Sequence, residues 1–260
     1  MTAALFEDLA TVRVLWKRDL LRFLRQPSRI VGALGQPIIF WLVLGSGMAS
    51  TFRMPGNERL GYLEYFYPGV IMMVVLFASI FATVSVIEDK TAGFLQAVLV
   101  APGSRASLVL GKSLGAATVA LLQAALFLLL APLAGFAFAN VDWALLALVL
   151  VASALGLTAF GFALAWWLDN IQAYHAIQMT LLVPLWVLSG AMFPVSDRHP
   201  VFSAIMRANP MTYATSGLRH ALYGRADTAP SVPVGTCVAV LTGFCVVCVA
   251  LASWVCYRRR

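Results

Sequence analysis

Six long apolar stretches alternate with shorter polar segments along this 260-residue chain. The apolar stretches cover residues 30–48, 65–87, 108–138, 143–168, 176–193 and 232–257. Each is long enough to cross the hydrocarbon layer as an α-helix, which takes about 20 residues. The pattern therefore predicts an all-α integral membrane protein with six transmembrane helices, built as one transmembrane domain over residues 1–260.

The segment before the first stretch, residues 5–29, has the period of an amphipathic helix. Its apolar arc consists of Leu9, Val12, Trp16, Leu20, Phe23 and Leu24, and its opposite arc carries Arg18, Arg22, Arg25 and Arg29. A basic helix with aromatic residues on its apolar face typically lies in the headgroup plane. We therefore predict an interfacial helix that ends near Pro27, with Trp16, Arg18, Arg22 and Arg25 as its anchors.

Composition supports lipid as the solvent for most of the chain. Apolar residues make up 61% of the sequence and charged residues 11%, whereas a soluble domain carries about 25% charged residues. The net charge of +7 does not indicate a nucleic-acid partner, because the basic residues stand beside apolar stretches rather than on a soluble basic face.

Lysine and arginine in the connecting segments predict the orientation. With the N-terminus in the cytoplasm, twelve of them fall on the cytoplasmic side and six on the outer side. This bias favours a cytoplasmic location for both termini. Four arginines in residues 195–226 are unusual for an outer segment, so we predict that this segment partly re-enters the membrane as short helices.

Candidate chemistry inside the chain is sparse. No ionisable pair stands in the middle of a stretch, which argues against a proton relay. The four cysteines lack acidic or histidine partners and are expected to pack as apolar residues, so no metal site is predicted. Residues 106–113 differ by one residue from a phosphate-binding loop, but they enter an apolar stretch. We interpret Lys112 as an interfacial anchor and expect no enzymatic activity.

The segment after the second stretch has the most informative pattern. A charged part is followed by an amphipathic part that ends at Pro102. A short helix along the membrane surface would present Glu88, Asp89, Lys90 and Gln96 to the cytosol. The segment is either a solvated loop or a docking lever for a soluble partner, and Gly93 either permits a close approach or serves as a turn residue.

Three motifs in this order resemble a known family. Residues 88–102 resemble the E-x-x-x-x-G-x-x-x-x-L-x-x-x-P coupling segment of ABC-transporter permeases of the second exporter type, although Val98 stands at the leucine position. Residues 189–194, Ser-Gly-Ala-Met-Phe-Pro, resemble the S-G-x-x-F-P that ends their fifth span. Residues 209–213, Asn-Pro-Met-Thr-Tyr, followed by Arg219, resemble their N-P-[LMT]-x-Y signature and late arginine.

The resemblance implies one subunit of a larger transporter. ATP and magnesium would bind a separate ABC ATPase subunit, and two permease chains would pair with two ATPase chains in the plasma or inner membrane. The coupling residues would lie in residues 88–105: Glu88, Asp89, Gly93, Pro102 and Arg105. The outer signature would be Asn209, Pro210, Tyr213 and Arg219.

The implied activity is export by alternating access, without a cofactor in this chain. The substrate would be hydrophobic, amphipathic or lipid-linked, and drug, lipid and glycan exporters of this type share the same motifs. Multidrug efflux is one such activity. The alternative function is a secondary transporter or channel that is not coupled to ATP.

Overall fold

The computed structural model describes residues 2–49, 60–100, 103–168, 170–193, 200–223 and 232–258. Across these ranges the regular structure is entirely helical. The α-helices are α1 Thr2–Leu24, α2 Pro27–Gly47, α3 Tyr62–Thr91, α4 Phe94–Val100, α5 Arg105–Leu128, α6 Trp143–Trp167, α7 Ile171–Trp186, α8 Pro200–Ala208, α9 Pro210–Tyr223 and α10 Val234–Arg258.

Six of the helical segments are long and apolar enough to cross a membrane, which confirms the predicted number of spans. They are formed by α2, α3, α5, α6, α7 with the π-helical turn Val187–Ala191 that follows it, and α10. The third predicted stretch was too long, since α5 ends at Leu128. A 3₁₀ turn, Ala131–Ala134, follows and contains Pro132, whose ring without an N–H cannot continue an α-helix.

Helix α3 is the central element of the bundle. In an 18-residue apolar stretch of α3, 78% of the residues are buried inside the protein, against 17% for the corresponding stretch of α2, 22% for that of α7 and 17% for that of α10. It packs against α2, α5, α6, α7 and α9. Four adjoining aromatic side chains at its start, Tyr62, Tyr65, Phe66 and Tyr67, are fully buried. The peripheral helices α2, α7 and α10 therefore leave many of their apolar side chains exposed in one protomer.

Helix α1 packs closely against α5. A Cβ on Gly111 would stand 3.1 Å from the Cα of Val12, and a Cβ on Gly115 would stand 3.1 Å from the Cβ of Asp19. The predicted apolar arc of α1 is therefore divided. Phe23 is buried, whereas Leu9 and Leu24 are exposed. The position of α1 in the headgroup plane stays a prediction.

Two short helices, α8 and α9, form the described part of the segment predicted to re-enter the membrane. Helix α9 packs against α3, α6 and α10, and most of its residues are buried. Residues 195–199 and 224–226 of that prediction lie outside the described ranges. Membrane re-entry itself stays a prediction.

Candidate functional site: the charged cluster and the coupling segment

Asp89 is a buried member of a charged cluster, and the prediction that it faces the cytosol is wrong. Helix α3 continues to Thr91, so Asp89 belongs to its last turn and is only 3% exposed. Arg18 of α1 donates to both of its carboxylate oxygens, at 2.7 and 2.6 Å. Lys112 of α5 also donates to it. The four residues Arg18, Asp19, Asp89 and Lys112 form what we term the charged cluster.

Lys112 is equally buried, so its interpretation as an interfacial anchor is wrong. It is 2% exposed, and its Nζ donates to the two oxygens of Asp19 at 3.2 and 3.0 Å. Two cations and two carboxylates balance, as charges removed from water require. The charged cluster thus connects α1, α3 and α5 at one end of the bundle, which we term the charged end.

Around the charged cluster lie weaker contacts. Arg22 donates to Glu88 at 2.9 Å, and both side chains are exposed to solvent by about two fifths. The guanidinium carbon of Arg18 stands 4.0 Å from the ring centre of Phe94 in α4, a cation–π geometry. The hydrogen bond to Asp89 raises the pKa of Arg18 above its ordinary value. The cluster therefore reaches the start of the coupling segment.

Of the four predicted anchors, three contact other parts of the protein. Arg18 and Arg22 form the ion pairs above, and the indole Nε1 of Trp16 donates to Thr118 at 3.0 Å. Arg25 is exposed. The predicted anchors thus partly serve to hold α1 on α3 and α5.

Gly93 is the turn residue between α3 and α4. Its φ is +74°, and a Cβ placed there would meet nothing within 4 Å. The conformation, rather than a close approach, requires glycine. Beyond this turn Leu95 is buried and Gln96 is exposed, as expected for an amphipathic short helix. Pro102, the last residue of the predicted motif, lies outside the described residues.

Arg105 secures the end of the last span. Its Nη1 donates to the carbonyl oxygens of Cys256 and Tyr257 at 2.9 and 3.1 Å, where a helix C-terminus favours a cation. Nearby, the backbone N–H of Ser104 donates to Asp8 of α1 at 2.6 Å, and this hydrogen bond lowers the pKa of Asp8. Helices α1, α5 and α10 therefore meet at the charged end.

At the opposite end of the bundle, residues 189–194 and 209–219 contact each other, and we term them the outer motifs after their predicted location. Arg219 of α9 donates to the carbonyl oxygen of Gly190 at 2.7 Å and stands over the ring of Tyr65. Tyr65 donates to the same carbonyl at 2.9 Å. Asn209 donates to the carbonyl of Leu185 at 2.6 Å and accepts from the N–H of Met211. The asparagine thus caps α9 while holding α7.

Pro210 and Tyr213 complete the outer signature. Pro210 is the first residue of α9, a position where its missing N–H costs nothing. The hydroxyl of Tyr213 donates to the carbonyl of Arg207 at 2.7 Å, which fixes α9 to α8. The signature residues therefore stabilise a junction of α7, α8 and α9.

The sequence analysis missed Asp19 and assigned Lys112 to the membrane interface rather than to this site. Lys112 falls within a predicted apolar stretch, and Asp19 is an acid in an otherwise basic helix. Charges within or beside a membrane span are energetically costly and are usually retained for a function. Both residues are of this kind. That signal was available, but not the pairing between them.

Other candidate chemistry finds no support in the described residues. Among them no group of three His, Cys, Asp or Glu is placed to hold a metal ion. Residues 106–113 lie inside α5 rather than in a loop. Three of the cysteines are buried and the fourth, Cys245, is half-buried.

Comparisons with known proteins agree with the membrane architecture. The family model described as ABC-2 type transporter matches residues 10–223. The chain is 26% identical over 252 residues to the inner membrane transport permease YadH of Escherichia coli, covering 92% of this chain and 93% of the relative. It is 28% identical over 214 residues to the ycf38 transport permease of Cyanophora paradoxa, covering 79% and 72%.

A third relative is the nodulation protein J of Neorhizobium galegae, which is 27% identical over 236 residues and covers 86% of this chain and 85% of its own. The family model spans most of the chain, including the charged cluster, the coupling segment and both outer motifs. The chain therefore belongs to the ABC-2 type transporter family, whose members are non-catalytic, multi-pass membrane subunits of ABC transporters that work with a separate ABC ATPase.

Proposed function

We propose that this chain exports a hydrophobic, amphipathic or lipid-linked substrate from the cytoplasm by alternating access. The observation that carries the proposal is the charged cluster, because it connects the central span α3 to α1 and α5 directly beside the coupling segment. ATP and magnesium would bind the ATPase partner.

The coupling segment is the proposed contact surface for that partner. Glu88 and Gln96 are accessible there, whereas Asp89 and Leu95 are turned into the protein. A displacement of α4 would pass through the Gly93 turn to the last turn of α3 and through Asp89 to α1. Such a change shifts access only if the ATPase binds the two states with different affinity.

The charged end is the proposed cytoplasmic end. The side chains of Asp8 and Arg105 bring α1, the start of α5 and the end of α10 together there. This agrees with six spans, an even number, which would return the chain to the side on which it began. The excess of lysine and arginine in the segments of that side supports a cytoplasmic location for both termini.

A second copy of the chain is the proposed partner within the membrane. The apolar side chains Ile39, Leu42 and Val43 of α2 and Met179 and Leu181 of α7 are exposed in one protomer. A transport path between two copies would be lined by such peripheral helices. Under this proposal α8 and α9 form the re-entrant pair on the outer side.

The test is ATP hydrolysis by the partner ATPase in liposomes, with and without this chain. We expect the chain to change the rate, and Glu88→Ala and Gln96→Arg to weaken that change. Asn140→Arg is the matched control, because Asn140 is exposed at the opposite end of the bundle. An ATPase that neither binds nor responds, together with solute flux by this chain alone, would favour the secondary transporter or channel.

A further inference from the structure

A cavity of about 350 Å³ lies within one protomer, between α1, α2, α3 and α5. This volume falls in the range of ligand pockets, about 300–1,000 Å³. Its walls are mainly apolar, with Met73, Phe77 and Phe81 on α3. Asp19 and Arg22 line it at the charged end. The cavity is therefore amphipathic, with its charges at one end.

The cavity is long as well as apolar. Its lining on α3 extends from Met73 to Ser85, a distance of roughly 18 Å at the helical rise of about 1.5 Å per residue. It thus reaches from the charged end towards the middle of the span. A flexible hydrocarbon chain fits this shape better than a compact solute.

Gln123 gives the cavity a polar group far from its charged end. The side chain is 4% exposed and lines the cavity. Its side-chain amide has two N–H donors, which can bind a carbonyl or ester oxygen of a molecule in the cavity.

At the charged end of the cavity, Arg22 is the residue that can bind an anion. Asp19 is already bound by Lys112, at 3.0 Å. Arg22 has one close carboxylate, Glu88 at 2.9 Å, while its other terminal nitrogen stands 3.9 Å from Asp89. A guanidinium has five N–H donors in a planar fork, and phosphate oxygens match that fork.

We propose that the cavity binds the single hydrocarbon chain of an anionic amphiphile, with its phosphate at Arg22 and an oxygen of its linkage at Gln123. The amphiphile enters from the leaflet at the charged end. Because Asp19 and Arg22 belong to the contacts that hold the last turn of α3, occupancy of the cavity acts on the coupling segment. This role as a substrate entry site rests on the proposed function, whereas binding itself does not.

The test is photolabelling of the purified full chain in phosphatidylcholine nanodiscs, without the ATPase. The probe is lysophosphatidic acid with a diazirine in its acyl chain, and adducts are located by peptide mass spectrometry. We expect adducts on α3 and α5 that unlabelled lysophosphatidic acid displaces. Ala82→Trp, which fills the cavity, should abolish them. Ala125→Trp, on an exposed position of α5, is the matched control and should leave them unchanged.

Two further arms test the charge. Arg22→Gln should weaken displacement by lysophosphatidic acid about tenfold, as expected for the loss of one charged hydrogen-bond pair, and its melting temperature is measured alongside to verify folding. Lysophosphatidylcholine should compete less well, and inorganic phosphate should not compete.

Several results would overturn the proposal. Adducts spread over the exposed residues of α10, or unaffected by Ala82→Trp, would mean general lipid contact. Displacement by inorganic phosphate would mean that Arg22 binds an anion and that the cavity does not recognise the hydrocarbon chain. Since the ATPase is absent, a failure here leaves the ATPase stimulation test intact, and a failed stimulation test leaves binding intact.

Discussion

The guanidinium of Arg18 donates to both carboxylate oxygens of Asp89, at 2.7 and 2.6 Å, and so fixes α1 to the last turn of α3. This geometry is bidentate, the arrangement in which an Arg–carboxylate pair is strongest. Lys112 shares the same carboxylate from α5. One aspartate therefore holds three helices together, four residues before the turn at Gly93.

Asp89→Asn should destabilise the protein much more than Glu88→Gln. Neutralising Asp89 leaves Arg18 and Lys112 with one carboxylate between them. A buried pair broken on one side costs about 3–5 kcal/mol, and because the Arg18 side chain is 33% exposed, we expect roughly 2–4 kcal/mol. The melting temperature of the protein in detergent would report the change.

Glu88→Gln is the matched control, one residue away on the same helix. Its ion pair with Arg22 is exposed on both sides, and exposed pairs contribute about 0–1 kcal/mol. Equal losses from the two substitutions would contradict the assignment of Asp89 as the buried centre of the cluster.

Gly93→Ala should impair coupling without a steric clash. The added Cβ meets no atom within 4 Å, but a φ of +74° is strained for alanine, by roughly 1–2 kcal/mol. Gly93→Asn should lose less, because asparagine tolerates the left-handed region. We expect stimulation of the partner ATPase to be highest with glycine at position 93, lower with asparagine and lowest with alanine.

Gly35→Ala is the control for the removal of a glycine. Gly35 lies inside α2, and a Cβ there also meets nothing within 4 Å, so alanine should be neutral or stabilise the helix by up to about 1 kcal/mol. If Gly35→Ala reduced ATPase stimulation as much as Gly93→Ala, the turn conformation would not explain the result.

The spans and the charged cluster differ in how far the sequence determines them. A span depends on length and hydropathy, which are properties of a contiguous segment, so the six spans can be predicted from the amino-acid sequence. The exception is the stretch 108–138, where Pro132 ends the helix early. The turn at Gly93 is also local, since its neighbours Glu88 and Lys90 supply the capping carbonyls.

The cluster depends on contacts between distant residues. Lys112 and Asp19 are 93 positions apart, and a lysine near the end of a span has the same sequence pattern whether it reaches headgroups or an acid. Asp89 turned inward because α3 extends to Thr91, four residues beyond the predicted stretch. The prediction that Asp89 faces the cytosol requires α3 to end before Asp89.

Arg219→Gln should loosen the junction at the end of the bundle opposite the charged cluster. Arg219 is buried, and its bond to Gly190 joins the two outer motifs beside the ring of Tyr65. A hydrogen bond from a charged donor contributes about 1.5–3 kcal/mol, so the melting temperature should fall by several degrees. Arg219→Lys should recover part of this loss, since it keeps the charge but not the planar fork. Full recovery by lysine would show that charge alone matters there.

Gly69→Ala should disrupt the same junction by overpacking. Its Cβ would stand 2.8 Å from the Cα of Ala191 and 2.9 Å from that residue's carbonyl oxygen, and a backbone cannot yield as a flexible side chain does. Inserting a methyl group into such a contact costs about 1–3 kcal/mol. The loss should appear as a lower melting temperature and faster hydrogen exchange in residues 187–191. Gly243→Ala in α10, where a Cβ meets nothing within 4 Å, should show neither effect, and an equal loss from both would refute the close packing of α3 on the π-helical turn.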